Sequence, residues 1–268
     1  MKVAIAHNNL PKTLTVVSRL RKLLHQYRLP IDQKYPDVVI TVGGDGTFIS
    51  AVHRYLDQID SVRFIGVHTG HLGFYTDWRN FDIDKMVQVL AREQAETVDY
   101  PLLEVKFYQA DGSIETRLAV NESTVKRMSQ TLEADVFIEH TLFENFRGDG
   151  LCIATPLGST AYSKSLGGAV IQPDLRVLQM TEIASINNQV FRTLAAPMVI
   201  APEEWITVKF KPAQDLVLTI DGKLVPAAGV NQISYRISTH RIQFDRFGHH
   251  HFWTRVQDSF IGMPHASI

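Results

Sequence analysis

The chain has 268 residues, of which 45% are hydrophobic and 21% charged, a composition typical of globular proteins. Its formal net charge of -1 argues against a nucleic-acid partner held by bulk charge. One cysteine, Cys152, excludes an internal disulfide and a thiolate zinc cluster, and no apolar run approaches the roughly 18 residues that span a membrane. We therefore expect a cytoplasmic protein without a signal peptide or a membrane partner.

The first hundred residues alternate the patterns of strands and helices. Buried strands are expected at residues 2–6, 38–42 and 63–67. Helices are expected, from the spacing of apolar residues, at residues 14–27, 48–56 and 81–93. This alternation indicates an open parallel sheet, in which ligands bind beyond the carboxyl ends of the strands.

From about residue 100 the pattern changes to extended runs separated by turns. Asp111-Gly112 and Asp221-Gly222 each divide two such runs, which predicts two hairpins. Gly148-Asp149-Gly150 separates two further runs, and we expect a third hairpin turn there. One helix is expected at roughly 160–166, after the turn TPLGS.

These patterns divide the chain into two domains. Residues 1–98 are expected to form an α/β domain, and residues 99–253 a β-rich domain. The amphipathic tail, residues 254–268, is expected to pack back onto the first domain.

The stretch VVITVGGDGTFIS, residues 38–50, joins a predicted strand to a predicted helix. Backbone N–H groups in such a glycine-rich turn usually bind phosphate, so the carboxylate of Asp45 would repel the ligand. The stretch matches neither a P-loop nor the dinucleotide-binding fingerprint. In one interpretation Asp45 caps the following helix. In the other, Asp45 holds or deprotonates a hydroxyl group while the N–H groups and a divalent cation take the charge of a transferred phosphoryl group.

Other polar residues lie at strand ends and turns. Asn121-Glu122 ends a strand pattern, and the pair either begins a turn or binds ribose hydroxyls and adenine edges. A hairpin turn is the favoured explanation for Asp221. For Asp149, a hairpin turn and a contact with a ligand explain the residue equally well. For Tyr162, the two interpretations are stacking on a base and packing of the helix. For Arg147, they are pairing with a pyrophosphate and pairing with a surface acid.

The sequence resembles the NAD kinases. The motif GGDGT at residues 43–47 is shared by NAD kinases, diacylglycerol and sphingosine kinases and, in related form, phosphofructokinases. Three further segments follow in the order found in NAD kinases: Asn121-Glu122, FRGDG at residues 146–150 and TPLGSTAY at residues 155–162. VQDSFIG at residues 256–262 is similar to the C-terminal segment of the family, so the resemblance spans nearly the whole chain and is strongest to the compact bacterial enzymes.

This resemblance implies a fold and a reaction. The implied fold has an N-terminal Rossmann-like α/β domain with a parallel sheet, a C-terminal β-sandwich-like domain, and an active site in the cleft between them. The implied reaction transfers the γ-phosphoryl group of ATP to the 2′-hydroxyl of the adenosine ribose of NAD, giving NADP. It further implies Mg²⁺ or another divalent cation as cofactor and assembly into a homodimer or homotetramer.

The same resemblance assigns roles to residues by their position in the motifs. Asp45 is the catalytic residue and accepts the proton of the hydroxyl group. Phe74 and Tyr75 are expected near the nicotinamide end of the dinucleotide. The full set of substrate-binding residues implied by the resemblance is Gly46, Phe74, Tyr75, Asn121, Glu122, Arg147, Asp149, Thr160, Ala161, Tyr162, Ser163, Lys164, Ser165 and Ala184. No residue is assigned to the metal.

Two alternatives remain open at this point. A lipid or sphingoid-base kinase can use the same GGDGT loop, although the sequence has no basic amphipathic segment that would dock on a bilayer. A noncatalytic sensor of NAD(P) is the second alternative. The presence of Asp45 argues against a sensor, because binding alone requires no acid directed at a hydroxyl group.

Overall fold

The structure is a computed structural model that describes residues 1–70, 73–92, 96–212, 214–245 and 251–262. The chain divides into two units: residues 1–99 together with the chain from Arg241 onward, and Tyr100–His240. The second division lies at Arg241 rather than at residue 254, because the end of the last strand pairs with a strand of the first unit. The last residues of the expected tail, 263–268, lie outside the described residues.

Helices and strands alternate in the first unit, and strands dominate the second. The helices are α1 Pro11–Gln26, α2 Asp45–Arg54, α3 Ile83–Leu90, α4 Tyr162–Ser165 and α5 Phe252–Val256. The strands are β1 Val3–His7, β2 Val38–Gly43, β3 Arg63–His68, β4 Trp78–Arg79, β5 Thr97–Gln109, β6 Ile114–Ala119, β7 Glu122–Arg127, β8 Leu132–Ile138, β9 Thr141–Gly148, β10 Gly150–Ala154, β11 Leu178–Ile183, β12 Met198–Ile200, β13 Ile206–Phe210, β14 Leu216–Ile220, β15 Lys223–Val225 and β16 Val230–Asp245. Short 3₁₀ turns occupy Leu56–Gln58 and Leu157–Thr160, and one π-helical turn occupies Gln257–Ile261.

The first unit contains a parallel sheet in the order β1, β2, β3. The end of β16 and the short β4 both pair parallel to β3, at its start and at its end respectively. Every residue of β2 is buried, as expected of a parallel strand that is covered on both faces. The sheet therefore places the carboxyl end of β2, and the GGDGT turn that follows, beside the carboxyl end of β3.

Helices α1 and α3 cover one face of this sheet. Their apolar stripes, which include Leu20, Leu24 and Met86, pack against Val38 and Ile40 of β2. These side chains recur every three or four residues along the helices, which is the spacing that predicted both elements from the sequence.

The opposite face of the sheet is covered by α2 and a group of aromatic rings. Phe48 of α2 stacks on Tyr75 and Phe244, with ring centroids 5.0 Å and 5.1 Å apart. A Cβ atom at Gly66 of β3 would lie 2.1 Å from the carbonyl oxygen of Tyr75, so a glycine is required where these segments meet. This packing places the segment around Tyr75 next to the start of α2.

The second unit consists of two antiparallel sheets. One has the order β16, β13, β8, β9 and also contains the β5–β6 hairpin; the other has the order β12, β11, β10, β7, β14, β15. Side chains from both sheets share one core, and they include Val105, Phe146, Ile153, Leu218 and Tyr235. Cys152 is fully buried in β10, and burial raises the pKa of its thiol. The combination of a parallel α/β unit with a β-sandwich-like unit confirms the predicted fold class.

Two of the three predicted hairpins are confirmed. Asp111-Gly112 joins β5 to β6, and Asp221-Gly222 joins β14 to β15 through two residues in the left-handed region. The third prediction, a hairpin at residues 148–150, is wrong. The run before it already turns at Glu139, which has a φ of 53°, and forms the β8–β9 hairpin. Asp149 instead links β9 of one sheet to β10 of the other sheet.

No helix among the residues that the structure describes combines the length and the hydropathy needed to cross a bilayer.

Substituting Leu20 by Ala should destabilise the protein by about 2–5 kcal/mol, because Leu20 is fully buried between α1 and the sheet. Leu14, on the same helix, is 45% exposed, and Leu14→Ala should change the free energy of unfolding by less than about 1 kcal/mol. Urea unfolding followed by circular dichroism measures both values. Equal losses in the two variants would contradict the assigned face of α1.

Candidate active site

The GGDGT motif forms the turn from β2 into α2. Gly43 ends the strand with a φ of 156°, and a Cβ atom there would lie 2.4 Å from Oγ1 of Thr47. Gly44 is the residue before the helix, and a Cβ atom at Gly44 or Gly46 would meet no described atom within 4 Å. Packing therefore requires a glycine at position 43, whereas Gly44 and Gly46 leave the backbone at the start of the helix open to a ligand.

Asp45 is the first residue of α2. The N-cap position of this helix is occupied by Gly44, so the interpretation of Asp45 as the helix cap is wrong. Instead, Oδ2 of Asp45 accepts a hydrogen bond from the N–H of Phe74 at 2.9 Å, and Oδ1 accepts one from the N–H of Tyr75 at 3.1 Å. The carboxylate is half-buried. Its charge lies at the amino end of α2, where the helix dipole attracts an anion.

The segment from Gly73 to Asp77 is shaped to hold this carboxylate. A Cβ atom at Gly73 would lie 2.2 Å from Oδ1 of Asp45, so a larger residue would collide with the carboxylate. The N–H of Gly73 donates to Oγ1 of Thr76 at 3.2 Å, which closes a turn around the two donor groups. Tyr75 is anchored by its stacking on Phe48. The two N–H groups are thus fixed in direction before any ligand binds.

A buried arginine supports the same segment from the other side. Arg255 of α5 is 2% exposed; its guanidinium donates to the carbonyl oxygen of Phe74 and pairs with the carboxylate of Asp77. Burial lowers the pKa of Arg255 to about 10, an effect that the nearby charge of Asp45 opposes. The guanidinium is therefore charged at neutral pH. Neither Arg255 nor Asp77 was among the residues singled out from the sequence.

In the second unit, the start of β7 is held by Asp221. Oδ2 of Asp221 accepts a hydrogen bond from the N–H of Val120 at 2.9 Å, and Oδ1 accepts from the N–H groups of Asn121 and Glu122 at 2.7 Å and 3.2 Å. The N–H of Asp221 donates in return to the carbonyl oxygen of Glu122 at 2.9 Å. A hairpin turn is therefore an incomplete account of Asp221, because its side chain also fixes the backbone of two predicted substrate-binding residues.

The carboxyl group of Glu122 is buried, with 6% of the residue exposed. Burial, and secondarily the charge of Asp221, raises the pKa of Glu122 to about 7, while a hydrogen bond from the N–H of Tyr162 acts in the opposite direction. Glu122 therefore exchanges a proton near neutral pH.

The motif TPLGSTAY packs directly on Asn121. Oγ1 of Thr155 donates to the carbonyl oxygen of Val120 at 2.6 Å, and the N–H of Thr155 donates to that of Asn121 at 2.9 Å. A Cβ atom at Gly158 would lie 2.1 Å from the same oxygen of Asn121, which explains the glycine in the motif. The structure thus brings together two motifs that are more than thirty residues apart in the sequence.

Residues 160–165 continue from this motif into α4, and their side chains differ in environment. The hydroxyl of Tyr162 accepts a hydrogen bond from Nζ of Lys126 at 2.7 Å, and the same ammonium lies 4.4 Å from the centre of the ring. Ser163 is fully buried and accepts a hydrogen bond from Nε2 of Gln179 at 2.9 Å. Ser165 is exposed. In this structure the hydroxyl of Ser163 is therefore engaged inside the unit, whereas Ser165 faces solvent.

Arg147, Asp149 and Ala184 form a second group in this unit. The N–H of Asp149 donates to the carbonyl oxygen of Ile183 at 2.9 Å, and the next residue, Ala184, has a φ of 46°. The guanidinium of Arg147 pairs with Glu133 at 2.9 Å and lies 4.1 Å from the centre of the ring of Phe191. Arg147 has therefore both an acidic partner and an aromatic partner within the protein.

Two facing carboxyl groups hold the loop that carries Phe191. Oε2 of Glu144 accepts the N–H of Leu194 at 3.0 Å, and the carboxyl group of Glu182 accepts the N–H of Ala195 at 3.1 Å. Burial, with the adjacent Glu182 carboxyl group, raises the pKa of Glu144 to about 7. These two acids were not identified from the sequence, since they lie in ordinary strand patterns.

Comparison with known proteins places the chain in a family. A model of the ATP-NAD kinase N-terminal domain matches residues 6–95, and a model of the ATP-NAD kinase C-terminal domain matches residues 120–239. The NAD kinase of Lactobacillus helveticus is 64% identical over 261 residues, which cover 97% of this chain and 96% of that protein. The chain belongs to the ATP-NAD kinase family. The NAD kinase of Lacticaseibacillus paracasei is 52% identical, over 99% of this chain and all of the relative.

Two solved structures of this family share the fold. Yeast NADH kinase complexed with NADH superimposes with a TM-score of 0.85 at 21% identity, over 100% of this chain and 89% of that one. An NAD kinase from Archaeoglobus fulgidus in complex with ATP gives a TM-score of 0.76 at 22% identity, over 98% of both chains. At this level of identity the likeness establishes the ATP-NAD kinase fold.

Glu122→Gln should flatten the pH dependence of stability. The pKa of Glu122 is 4.5 as a free side chain and about 7 in the folded protein, so the folded state binds one more proton than the unfolded state between these pH values. The contribution of Glu122 to stability therefore falls as the pH rises through this window. Because Gln does not ionise, the difference in stability between variant and wild type should shift in favour of the variant by about 3 kcal/mol between about pH 4.5 and pH 8.

Urea unfolding without ligands, repeated across this pH range, measures the shift. Glu203→Gln is the matched control, since Glu203 is exposed, and its difference from wild type should stay constant. A constant difference for Glu122→Gln as well would contradict the burial of a protonated carboxyl group.

Proposed function

We propose that this protein is an NAD kinase, which transfers the γ-phosphoryl group of ATP to the 2′-hydroxyl of the adenosine ribose of NAD and forms NADP. One observation carries the proposal: the carboxylate of Asp45, the first residue of α2, is held by the backbone N–H groups of Phe74 and Tyr75. Membership in the ATP-NAD kinase family supplies the identity of the substrates, which are NAD and ATP.

Asp45 acts as the proton acceptor in this proposal. Each of its oxygens accepts one hydrogen bond from the protein and keeps a lone pair for the hydroxyl group of the substrate. As the hydroxyl oxygen attacks the γ-phosphorus of ATP, its proton passes to Asp45 and the bond to the β-phosphate oxygen breaks. The open backbone at Gly46, in the first turn of α2, supports binding of the phosphate charge.

The second unit supplies the remaining contacts to NAD. Oε2 of Glu122 is buried and has no hydrogen-bond partner within the described chain, so a ribose hydroxyl or an adenine edge would satisfy it. Asn121 is held beside it by Asp221, and the ring of Tyr162 supports stacking of the base. The further contacts that we propose are made by Phe74, Tyr75, Arg147, Asp149, Thr160, Ala161, Ser163, Lys164, Ser165 and Ala184.

We also propose that ATP brings a divalent cation, Mg²⁺ or a similar ion. Mg²⁺ is usually held by substrate phosphates, water and one or two carboxylates. Among the described residues, no three metal-ligating side chains lie together. A cation that arrives with the nucleotide needs no such group, because phosphates and water supply most of its ligands. The bound cation would neutralise the charge on the transferred phosphoryl group. Asp45 is the carboxylate that we place nearest to it.

We propose in addition that the protein works in the cytoplasm as a homodimer or homotetramer. Large apolar side chains on the surface of the second unit support self-association: Leu142, Val190 and Val199 are 48%, 78% and 52% exposed.

The function is tested by incubating the protein with NAD, ATP and Mg²⁺ and measuring NADP with a coupled dehydrogenase. Diacylglycerol, offered in place of NAD, tests the lipid-kinase alternative. We expect NADP to form and the lipid to remain unmodified. Dinucleotide binding without NADP over several hours would favour a sensor, and phosphorylated lipid would favour a lipid kinase.

Asp45→Asn should lower kcat by about a hundredfold or more, because the amide cannot accept the hydroxyl proton. Its NH₂ group also cannot accept the second N–H bond from the 74–75 segment. The Kd for NAD, measured by calorimetry, should change by less than about threefold, since the substrate contacts of the second unit remain. Asp57→Asn, at an exposed aspartate, is the control and should retain wild-type kcat. An Asp45→Asn enzyme with most of its kcat would remove Asp45 from the reaction.

A further inference from the structure

One peptide group lies between an arginine and the proposed catalytic carboxylate. The carbonyl oxygen of Phe74 and the N–H of Tyr75 belong to the same peptide group, and in a trans peptide they point in opposite directions. The carbonyl oxygen accepts a hydrogen bond from Arg255, and the N–H donates to Oδ1 of Asp45 at 3.1 Å. The orientation of this peptide group therefore depends on Arg255, and the position of the Asp45 carboxylate depends on the peptide group.

The arginine itself is fixed from behind. Its guanidinium pairs with Asp77, and the side chains of the two residues are 3% and 6% exposed. A charged group on the carbonyl side of a peptide polarises it, which strengthens the hydrogen bond on its N–H side. The chain Asp77, Arg255, peptide 74–75 and Asp45 forms one continuous polar network inside the first unit.

Aromatic contacts bring the same two segments together. The ring of Phe74 lies 6.5 Å from that of Phe252 and 5.5 Å from that of Phe260, measured between centroids. Phe252 and Phe260 flank Arg255 on the segment Phe252–Ile261. Arg255, which lies between these two rings in the sequence, is itself only 2% exposed.

Stability alone is a weak reason for this arrangement. Desolvating a guanidinium and a carboxylate offsets most of the energy that their attraction returns, so a buried ion pair contributes little to net stability. The lowered pKa of Arg255 reflects that desolvation. What the pair adds is a fixed direction for the two N–H groups that bind Asp45.

We propose that Arg255 is a positioning residue for phosphoryl transfer, acting on Asp45 through the Phe74–Tyr75 peptide group. This proposal rests on the proposed function of Asp45 as the proton acceptor. Arg255 directs the carboxylate toward the hydroxyl group. The segment Phe252–Ile261, which carries Arg255, therefore helps to set the rate of the reaction.

Substitutions of Arg255 should lower kcat and leave the KM for NAD unchanged, because the residue acts on the acceptor of the proton rather than on bound substrate. Lys at this position can reach either Asp77 or the carbonyl oxygen of Phe74 but not both, and Met can bind neither. We expect kcat to fall about tenfold in Arg255→Lys and about a hundredfold in Arg255→Met, the scale known for a misplaced catalytic group. KM should stay within about twofold in both.

Arg63→Lys is the matched control. Arg63 pairs with the buried Asp245 at 3.7 Å in the same unit and is absent from the network that holds Asp45. It should reproduce any general loss of stability and keep wild-type kcat. An equal loss of kcat in Arg63→Lys and Arg255→Lys would mean that Arg255 serves stability, and would overturn the proposal.

A double-mutant cycle separates positioning from a general effect on the fold. If Arg255 acts through Asp45, Arg255→Lys should lower kcat about tenfold in the wild-type background and leave it unchanged in the Asp45→Asn background. The same tenfold loss in both backgrounds would overturn the proposal. Failure of the proposed function is visible separately, since wild-type enzyme would then form no NADP, or Asp45→Asn would retain kcat.

Asp77→Asn provides a second route if the Arg255 variants do not fold. It leaves the guanidinium in place and weakens its anchor, so kcat should fall severalfold at constant KM for NAD. Thermal unfolding and circular dichroism identify folded variants. Wild-type kcat in a folded Asp77→Asn enzyme would also overturn the proposal.

Discussion

The rest of the first unit depends on one interaction, in which the backbone N–H groups of Phe74 and Tyr75 donate hydrogen bonds to the carboxylate of Asp45. It requires a glycine at position 73, a turn closed by Thr76 and a ring stacked on Phe48. It also answers why an acid stands in a glycine-rich turn that would otherwise suit an anion. The protein neutralises part of the carboxylate charge with peptide dipoles and still leaves lone pairs for a hydroxyl group.

The second unit uses the same device several times. Asp221 collects three backbone N–H groups at the start of β7, and Glu144 and Glu182 each hold one in the loop that carries Phe191. In every case a carboxyl group fixes a backbone segment that lies beside proposed ligand contacts.

Periodic patterns predicted most of the fold. The spacing of Leu20 and Leu24 predicted α1, and the Asp-Gly pairs at residues 111 and 221 predicted two hairpins. The turn at Glu139 was missed because Glu-His has no composition typical of turns. Because the chain already turns at Glu139, residues 148–150 link the two sheets instead of forming the predicted hairpin.

Part of the proposed site was accessible from the sequence. The residues that we propose to contact the ligands occupy short motifs, and the resemblance to a known family pointed to them. The residues that support them are distant in sequence: Arg255 is 181 positions from Phe74, and Asp221 is 100 positions from Asn121. Local spacing carries no information on such pairings, which arise when the sheets assemble.

The complete burial of Cys152 makes the chain's single thiol an internal reporter. A reagent reacts with the thiolate, which burial disfavours here, and it must first reach β10 in the middle of a sheet. The rate at which Cys152 is alkylated in native buffer therefore measures how often the second unit opens. Because the chain has no other cysteine, a thiol reagent reports on the opening of the second unit alone, and no label has to be added.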